Sequence, residues 1–376
     1  MIIAYDGKRA VQNLTGLGNY SRLIIESVAR EFPSHSLSVY APSPRKNPRL
    51  DHILSMPNVS MRFPLKGETP LGRSMWRTFG IPAALKADKV SIFHGLSNEL
   101  PLNISRSGIP SVLTMHDVIY RTMPECYRLP DRLLYDFKYG ASCRAASHII
   151  AISECTKRDI MRFYHIPEQK ISVIYQGCDN IFHSEPSPRS LAEARKTYDL
   201  PERFLLQVGS IERRKNAELS VRALSSVNSD LPLILIGRAT TYLREIEELA
   251  STLGVRGRLR VLHDVPFPHL PLLYRLATAA LYPSHYEGFG IPVLEAITCG
   301  TPCIAATGSC LEEAGGEAAI YVNPRDPRAM ARAIDSILSR DPGVISRIEK
   351  GRRHAARFDN AEIASRVMEI YLRVAK

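Results

Sequence analysis

The sequence predicts an α/β protein built as two doubly wound domains, each a parallel sheet flanked by helices. Three observations carry this. Short apolar or β-branched runs alternate with longer helical patterns along the whole chain. At 376 residues and 45% apolar content the chain suffices for two separate cores. A stretch, Ser184-Glu-Pro-Ser-Pro-Arg189, divides the halves because it can continue neither a helix nor a central strand.

In the first half strands are expected at residues 2–5, 37–41, 90–94, 111–115, 148–152 and 171–175, with helices at 20–32 and 131–146 between them. Leu23, Ile24 and Val28 share one face of the first helix, as a packed amphipathic helix requires. In the second half strands are expected at 204–208, 233–236, 259–262, 280–282 and 303–305, with helices after Asn216, Thr241 and Pro292. Strands apolar on both faces imply parallel sheets covered on both sides. The boundary is expected near residues 179–189, giving domains 1–180 and 181–359.

Composition narrows the function class. The chain opens on a short apolar strand and turns polar at Asp6-Gly-Lys-Arg9, so no N-terminal signal peptide is expected, and no run approaches the ~18 apolar residues of a membrane span. Seven cysteines without paired C-x2-C spacing indicate neither a disulfide framework nor a zinc site. Charge is uneven: residues 1–178 hold 23 Lys/Arg against 14 Asp/Glu, a net of +9, whereas the remainder holds 26 against 24. Much of the excess lies at Arg62, Lys66, Arg73, Arg77, Lys86 and Lys89, interleaved with Phe63, Trp76 and Phe79. Such a surface suits an anionic membrane or a phosphate-bearing lipid; a solvated helix face is the plain alternative. Nucleic acid is not expected, for want of a helix-turn-helix, zinc-finger or aromatic nucleic-acid motif.

The most informative segment is Ser284-His-Tyr-Glu-Gly-Phe-Gly-Ile-Pro-Val-Leu-Glu295. Gly288 and Gly290 permit positive φ and close backbone approach to a ligand, and Pro292 is preset for a first helical turn. A helix beginning there aims free N–H groups at a phosphate. Glu295, expected in the first turn, could accept hydrogen bonds from two ribose hydroxyls, while Glu287 projects from the preceding loop. On their own these glutamates equally fit a solvated loop charge and a complement to the helix dipole. Arg214 and Lys215 follow a strand at its carboxyl end, where open α/β sheets place ligands, and can bind two phosphates. His116-Asp117 likewise ends an apolar run. Gly16 and Gly18 are expected in a loop before the first long helix, with amides available to a phosphate or acceptor. A dinucleotide fingerprint fails there, since its third glycine position is Ser21 and no acidic residue closes the strand Ser38-Val-Tyr-Ala41.

The segment resembles the E-x7-E motif of glycosyltransferase family 4, retaining enzymes of the GT-B fold, in which two Rossmann-like domains face each other across a cleft. Val208-Gly-Ser-Ile-Glu-Arg-Arg-Lys-Asn216, Gly300-Thr-Pro-Cys-Ile-Ala305, Ile174-Tyr-Gln-Gly-Cys-Asp179 and Thr15-Gly-Leu-Gly-Asn-Tyr20 resemble further family segments in the same order. The resemblance implies an N-terminal acceptor-binding domain joined by the last helix, 360–376, and a C-terminal nucleotide-sugar-binding domain. It implies donor binding by Gly16, Gly18, Arg214, Lys215, Gly288, Phe289, Gly290, Ile291 and Glu295, with His116, Glu287, Arg214 and Lys215 acting in catalysis. Some members carry an arginine where this chain has Ser210. The absence of a D-x-D sequence predicts no metal and no cofactor beyond the sugar nucleotide.

The bacterial mannosyl- and rhamnosyltransferases of lipopolysaccharide O-chains are the members most resembled. They imply a GDP-linked mannose or 6-deoxyhexose donor, with UDP-glucose an alternative, and a lipid-linked glycan acceptor at the cytoplasmic face of the membrane. Same-face attack and a covalent intermediate both stay open, because no nucleophile is evident. A nucleotide-sugar epimerase on the same architecture, a glycan-binding protein and an NAD-binding oxidoreductase are the competing classes.

Overall fold

The computed structural model describes residues 1–45, 47–64 and 69–375. The chain divides into two compact units, Met1–Gly177 with Asp359–Lys376, and Cys178–Phe358.

Unit 1 is a seven-stranded sheet of β1 (Ile2–Asp6), β2 (Ser36–Tyr40), β3 (Val59–Arg62), β4 (Ile92–Gly95), β5 (Ser111–Met115), β6 (His148–Ala151) and β7 (Ile171–Val173). Its order is β3-β2-β1-β4-β5-β6-β7, and every neighbouring pair is parallel. Unit 2 holds β8 (Leu205–Val208), β9 (Leu233–Ile236), β10 (Leu259–Leu262), β11 (Ala279–Tyr282), β12 (Cys303–Ala306) and β13 (Ala319–Val322), ordered β10-β9-β8-β11-β12-β13 and again wholly parallel. Both sheets are doubly wound. The strand order reverses between β1 and β4 in one and between β8 and β11 in the other, and such switch points are where ligands lodge. Each unit has its own apolar core, one including Phe93, Leu113 and Ile149, the other Leu235, Leu281 and Ile334.

The predicted strands are present to within two residues at either end, and the structure adds β3 and β13. Both are edge strands, half-buried along much of their length, so their apolar pattern is weak. The division also falls earlier than residue 180. Asp179 caps a single 3₁₀ turn, Asn180–Phe182, and the fully buried Phe182 packs on Phe267 and Tyr274, which ties residues 178–182 to unit 2.

The helix expected at 131–146 is Leu129–Ala145, and the first long helix is Gly16–Glu31 rather than 20–32, so Gly16 and Gly18 lie in its first turn and not in a preceding loop. The last helix, Asn360–Val374, is capped by Asp359, whose carboxylate accepts from the amides of Ala361 and Glu362. It packs on Gly16–Glu31, and its Tyr371 hydroxyl meets His94 Nδ1 at 2.5 Å.

The basic stretch near Arg62 is less uniform than its sequence suggests. Lys66 lies outside the described residues. Arg77 points inward, its guanidinium 2.6 Å from Asp6 and 2.7 Å from Glu99. Trp76 stacks on Tyr40. Arg73, Lys86 and Lys89 remain on the surface with Phe63 and Phe79.

Candidate functional site

In unit 2 the loops leaving β8 and β11, neighbours at the switch point, converge. The β8 loop passes through a single 3₁₀ turn, Arg213–Lys215, and ends at Asn216 in the left-handed region with φ 55°. The Asn216 carboxamide donates to the carbonyls of Pro283 (3.0 Å) and Pro324 (2.9 Å), and His285 N–H donates to Arg214 O at 2.9 Å. These bonds stitch the two loops together, so Arg214 and Lys215 are held rather than solvated.

Their charges meet one carboxylate. Glu287 Oε1 lies 2.7 Å from Arg214 Nη1 and 2.6 Å from Lys215 Nζ, and Arg214 Nη2 reaches Glu212 at 2.7 Å. Lys215 Nζ also stands 4.8 Å over the Tyr282 ring, and Arg214 Nη1 donates to Tyr286 O. Burial alone would raise the Glu287 pKa, but Lys215 and Arg214 outweigh it and leave the carboxyl at about 2. For Lys215 burial dominates, and its pKa is lowered despite Glu287. Glu287 is therefore an ionised, buried group and not a solvated loop charge. With two cations against Glu212 and Glu287, the cluster is close to neutral.

Next to it, Gly290 caps the helix Ile291–Thr298 at φ 116°. A side chain there would be strained twice over, because a Cβ would stand 2.7 Å from Leu311 Cδ2. The thiol of Cys310 meets the carbonyls of Glu287 and Phe289 at 3.0 Å each, bracing the loop from behind. Gly288 and Gly290 are buried and Ile291 is half-buried. Phe289 has its side chain 2% exposed and packed edge-on against Phe358, which leaves only its main chain for the donor contact expected of it.

Glu295 departs from its expected place in the helix. With the helix starting at Ile291 it falls in the second turn, not the first, and it is buried. Tyr274 OH donates to its Oε2 at 3.0 Å. Burial pushes its carboxyl up to about 7, the Tyr274 bond opposing and Asp179 adding to the rise. The two glutamates of the segment thus differ sharply: one is locked ionised by cations, the other titrates near neutrality. Tyr274, 21 residues earlier on another helix, carries no signal that sequence reasoning could use. Asn216 does carry one, since asparagine directly after a strand-loop turn is a residue that tolerates the left-handed region.

In unit 1, His116 follows β5 and is buried. Its Nε2 is 2.9 Å from Leu96 O, which requires that nitrogen to carry the proton. Its backbone N–H donates to Asn98 Oδ1 at 2.6 Å, and Asn98 is itself in the left-handed region with φ 63°. The ring meets Tyr20 edge-on at 4.7 Å. Burial lowers its pKa to about 4, so it is a neutral imidazole with Nδ1 as the acceptor. Asp117 accepts from Ile119 N–H and so turns the chain. Gly18 N–H is already bonded to Thr15 O, and a Cβ on Gly18 would overlap Asn13 O at 1.9 Å. Its glycine identity is steric. Gly16 has open space around it. Among the described residues no group of three or more His, Cys, Asp or Glu is placed to hold a metal ion, and no helix is long and apolar enough to cross a membrane.

Known proteins show what this arrangement belongs to. Residues 15–180 match the model of Glycosyltransferase Family 4 and residues 189–354 that of Glycosyl transferases group 1. The Escherichia coli O-antigen chain mannosyltransferase B is 29% identical over 95% of this chain and 96% of its own length. A D-inositol 3-phosphate glycosyltransferase of Thermobispora bispora is 31% identical over 71% of this chain and 65% of its own. Among solved structures, Anabaena HepE in complex with UDP and glucose superposes with a TM-score of 0.77 at 19% identity, covering 98% of this chain and 99% of its own. WaaG, a glycosyltransferase involved in lipopolysaccharide biosynthesis, superposes at 0.73 with 20% identity, covering 99% of each chain. The chain therefore belongs to the glycosyltransferases, a Glycosyltransferase Family 4 domain followed by a Glycosyl transferases group 1 domain on the GT-B fold.

Proposed function

We propose that the protein transfers a hexose, mannose or a 6-deoxyhexose, from a GDP-linked donor to a hydroxyl of a lipid-linked glycan in lipopolysaccharide or related polysaccharide synthesis, with retention of anomeric configuration. The observation that carries the donor part is the convergence of Arg214, Lys215 and Glu287 beside the start of the helix Ile291–Thr298. A nucleoside diphosphate brings two negative phosphates to two half-buried cations and a helix N-terminus, which is the charge match such a ligand needs. Gly288, Phe289, Gly290 and Ile291 line its approach with main chain, and Glu295 accepts from the ribose hydroxyls. The mannosyl preference rests on the Escherichia coli relative, which is named an O-antigen chain mannosyltransferase.

As the glycosidic bond to the leaving phosphate breaks, charge grows on the diphosphate. Arg214 and Lys215 stabilise it in place of a divalent metal, consistent with the missing D-x-D sequence. In unit 2 Glu287 holds sugar hydroxyls, and in unit 1 His116, which the resemblance assigns to the sugar, offers a neutral acceptor Nδ1. Action at the inner face of the cytoplasmic membrane, with peripheral contact to anionic lipid, follows from the acceptor proposed and the positive first domain. A UDP-sugar donor is the second reading, favoured by HepE, which was solved with UDP and glucose.

Thermal-shift titration with GDP, UDP, GDP-mannose, UDP-glucose and NAD tests this. A ligand at 100 times its Kd stabilises the fold by roughly 2.7 kcal/mol. Selective stabilisation by GDP species, lost in Arg214→Ala, supports the reading; stabilisation by UDP species alone moves it to the second; stabilisation by NAD alone, or by none, overturns it.

A further inference from the structure

Strand β8 is apolar but for one residue. Leu205 and Leu206 are fully buried, and Gln207, between Leu206 and Val208, is 6% exposed. By the two-residue alternation of a strand it shares a face with Leu205, which belongs to the apolar core of Leu219, Leu235 and Leu281. A carboxamide at such a place costs stability unless both its ends are bonded.

Here both ends are bonded, and one of the bonds leads to the site. Gln207 Nε2 donates to the main-chain carbonyl of Lys215 at 3.0 Å, and Gln207 Oε1 accepts from Ser220 Oγ, on the helix Ala217–Leu224, at 2.8 Å. A carbonyl can only accept, so the amide nitrogen must face Lys215 and the amide oxygen is left for Ser220. Ser220 is itself fully buried and fixes the amide in that orientation.

The Lys215 carbonyl closes the single 3₁₀ turn Arg213–Lys215. Gln207 grips it from inside the unit, while the next residue, Asn216, ties the chain to the carbonyls of Pro283 and Pro324. From that root a flexible stem carries the Lys215 ammonium to 2.6 Å from Glu287 Oε1 and 2.5 Å from the Tyr282 hydroxyl. A root free to shift would spread the ammonium over many positions, whereas a fixed root leaves only the stem to be ordered when a ligand binds.

We propose that Gln207 is a positioning residue for nucleotide binding: through the Lys215 carbonyl it sets where the Lys215 ammonium stands to meet a diphosphate, and Ser220 holds the amide in the orientation this needs. The inference rests on the donor reading above, and it adds to that reading a residue buried in the strand beneath the loops.

The test is the Kd of GDP and of UDP for the full chain, measured by isothermal titration calorimetry, together with the melting temperature. Gln207→Leu is expected to raise the Kd of the preferred nucleotide about tenfold. It should also lower the melting temperature, because Ser220 Oγ loses its buried partner. Gln207→Leu/Ser220→Ala removes that orphan, so the melting temperature should return toward the parent's while the Kd stays raised. Recovery of both together would make Gln207 a core residue only and overturn the proposal. In a Lys215→Met background, which keeps the stem and drops the ammonium, Gln207→Leu should change the Kd by less than about twofold. The full tenfold loss in that background also overturns the proposal, since Gln207 would then act otherwise than through Lys215. A parent-like Kd in Lys215→Met alone removes the donor reading and this inference with it. A parent-like Kd in Gln207→Leu beside a weakened Lys215→Met overturns this inference and leaves the donor reading standing.

Discussion

Glu287 Oε1 sits 2.6 Å from Lys215 Nζ, so this cation is already matched by a carboxylate of the same unit. Charge around Arg214 and Lys215 is nearly balanced, and under the donor reading proposed above a diphosphate shares these cations with Glu287 or moves it aside. Under that reading Glu287 would both orient the sugar and temper the grip on the diphosphate, favouring release of the spent nucleotide.

Glu287→Gln should therefore separate binding from turnover. Removing one partner of a buried ion pair costs about 3–5 kcal/mol, so the ligand-free variant melts lower. GDP or UDP then meets uncompensated cations and gives a larger thermal shift than in the parent, while sugar transfer falls by about 100-fold or more. A shift no larger than the parent's would show that Glu287 does not compete with the nucleotide.

Glu295 predicts a pH dependence of its own. Its folded pKa, about 7, lies above that of an unfolded glutamate, so folding takes up a proton. The stabilising share is fully present below the unfolded value and is lost as pH rises through 7. Glu295→Gln should accordingly raise stability at pH 8 by on the order of 3 kcal/mol and leave it nearly unchanged at pH 4. Ribose hydroxyls need the ionised form, so nucleotide affinity in the parent should climb between pH 6 and 8. Chemical denaturation and nucleotide titration at the three pH values check both; a flat affinity profile would remove the ribose role.

Three histidines of unit 1 point the other way. Burial lowers His94 to about 3 and His116 and His148 to about 4, and all three are neutral in the fold. Their stabilisation is present above the unfolded value near 6.5 and is lost as pH falls toward 4. The sequence has one tryptophan, Trp76, and it lies in unit 1. Its fluorescence should report a denaturant midpoint that drops markedly from pH 7.5 to pH 5, and an unchanged midpoint would contradict the neutral buried rings.

Gly290→Ala should cost about 1–3 kcal/mol through its φ of 116°, with more from the overlap with Leu311, and should weaken nucleotide binding by displacing the helix start. Gly300, with φ 74° and open space around it, is the control for the backbone term alone. Equal destabilisation by Gly290→Ala and Gly300→Ala would mean that Leu311 yields.

Much of this was legible in order and type. The strands ending at Met115, Val208 and Tyr282 announce themselves by apolar runs followed by polar turns, and the last helix, which the resemblance implies at 360–376, is Asn360–Val374. The misreadings have local causes. Thr15 starts the first long helix ahead of its apolar face, so two glycines assigned to a loop belong to a helix. Gly290 starts the next-to-site helix one residue before Pro292, which moves Glu295 a turn inward.

What the sequence determined by itself is which residue types follow which strand: glycines and a proline after β11, an Arg-Lys pair after β8. Those are consequences of backbone conformation and strand patterning, which are local. Only the tertiary structure decided that Lys215 and Arg214 close on Glu287, that Tyr274 meets Glu295 and that Arg77 turns inward to Asp6 and Glu99. Each of these joins residues far apart in the chain, and its strength depends on burial. The same glutamate side chain thus becomes a locked anion at position 287 and a titrating acid at position 295.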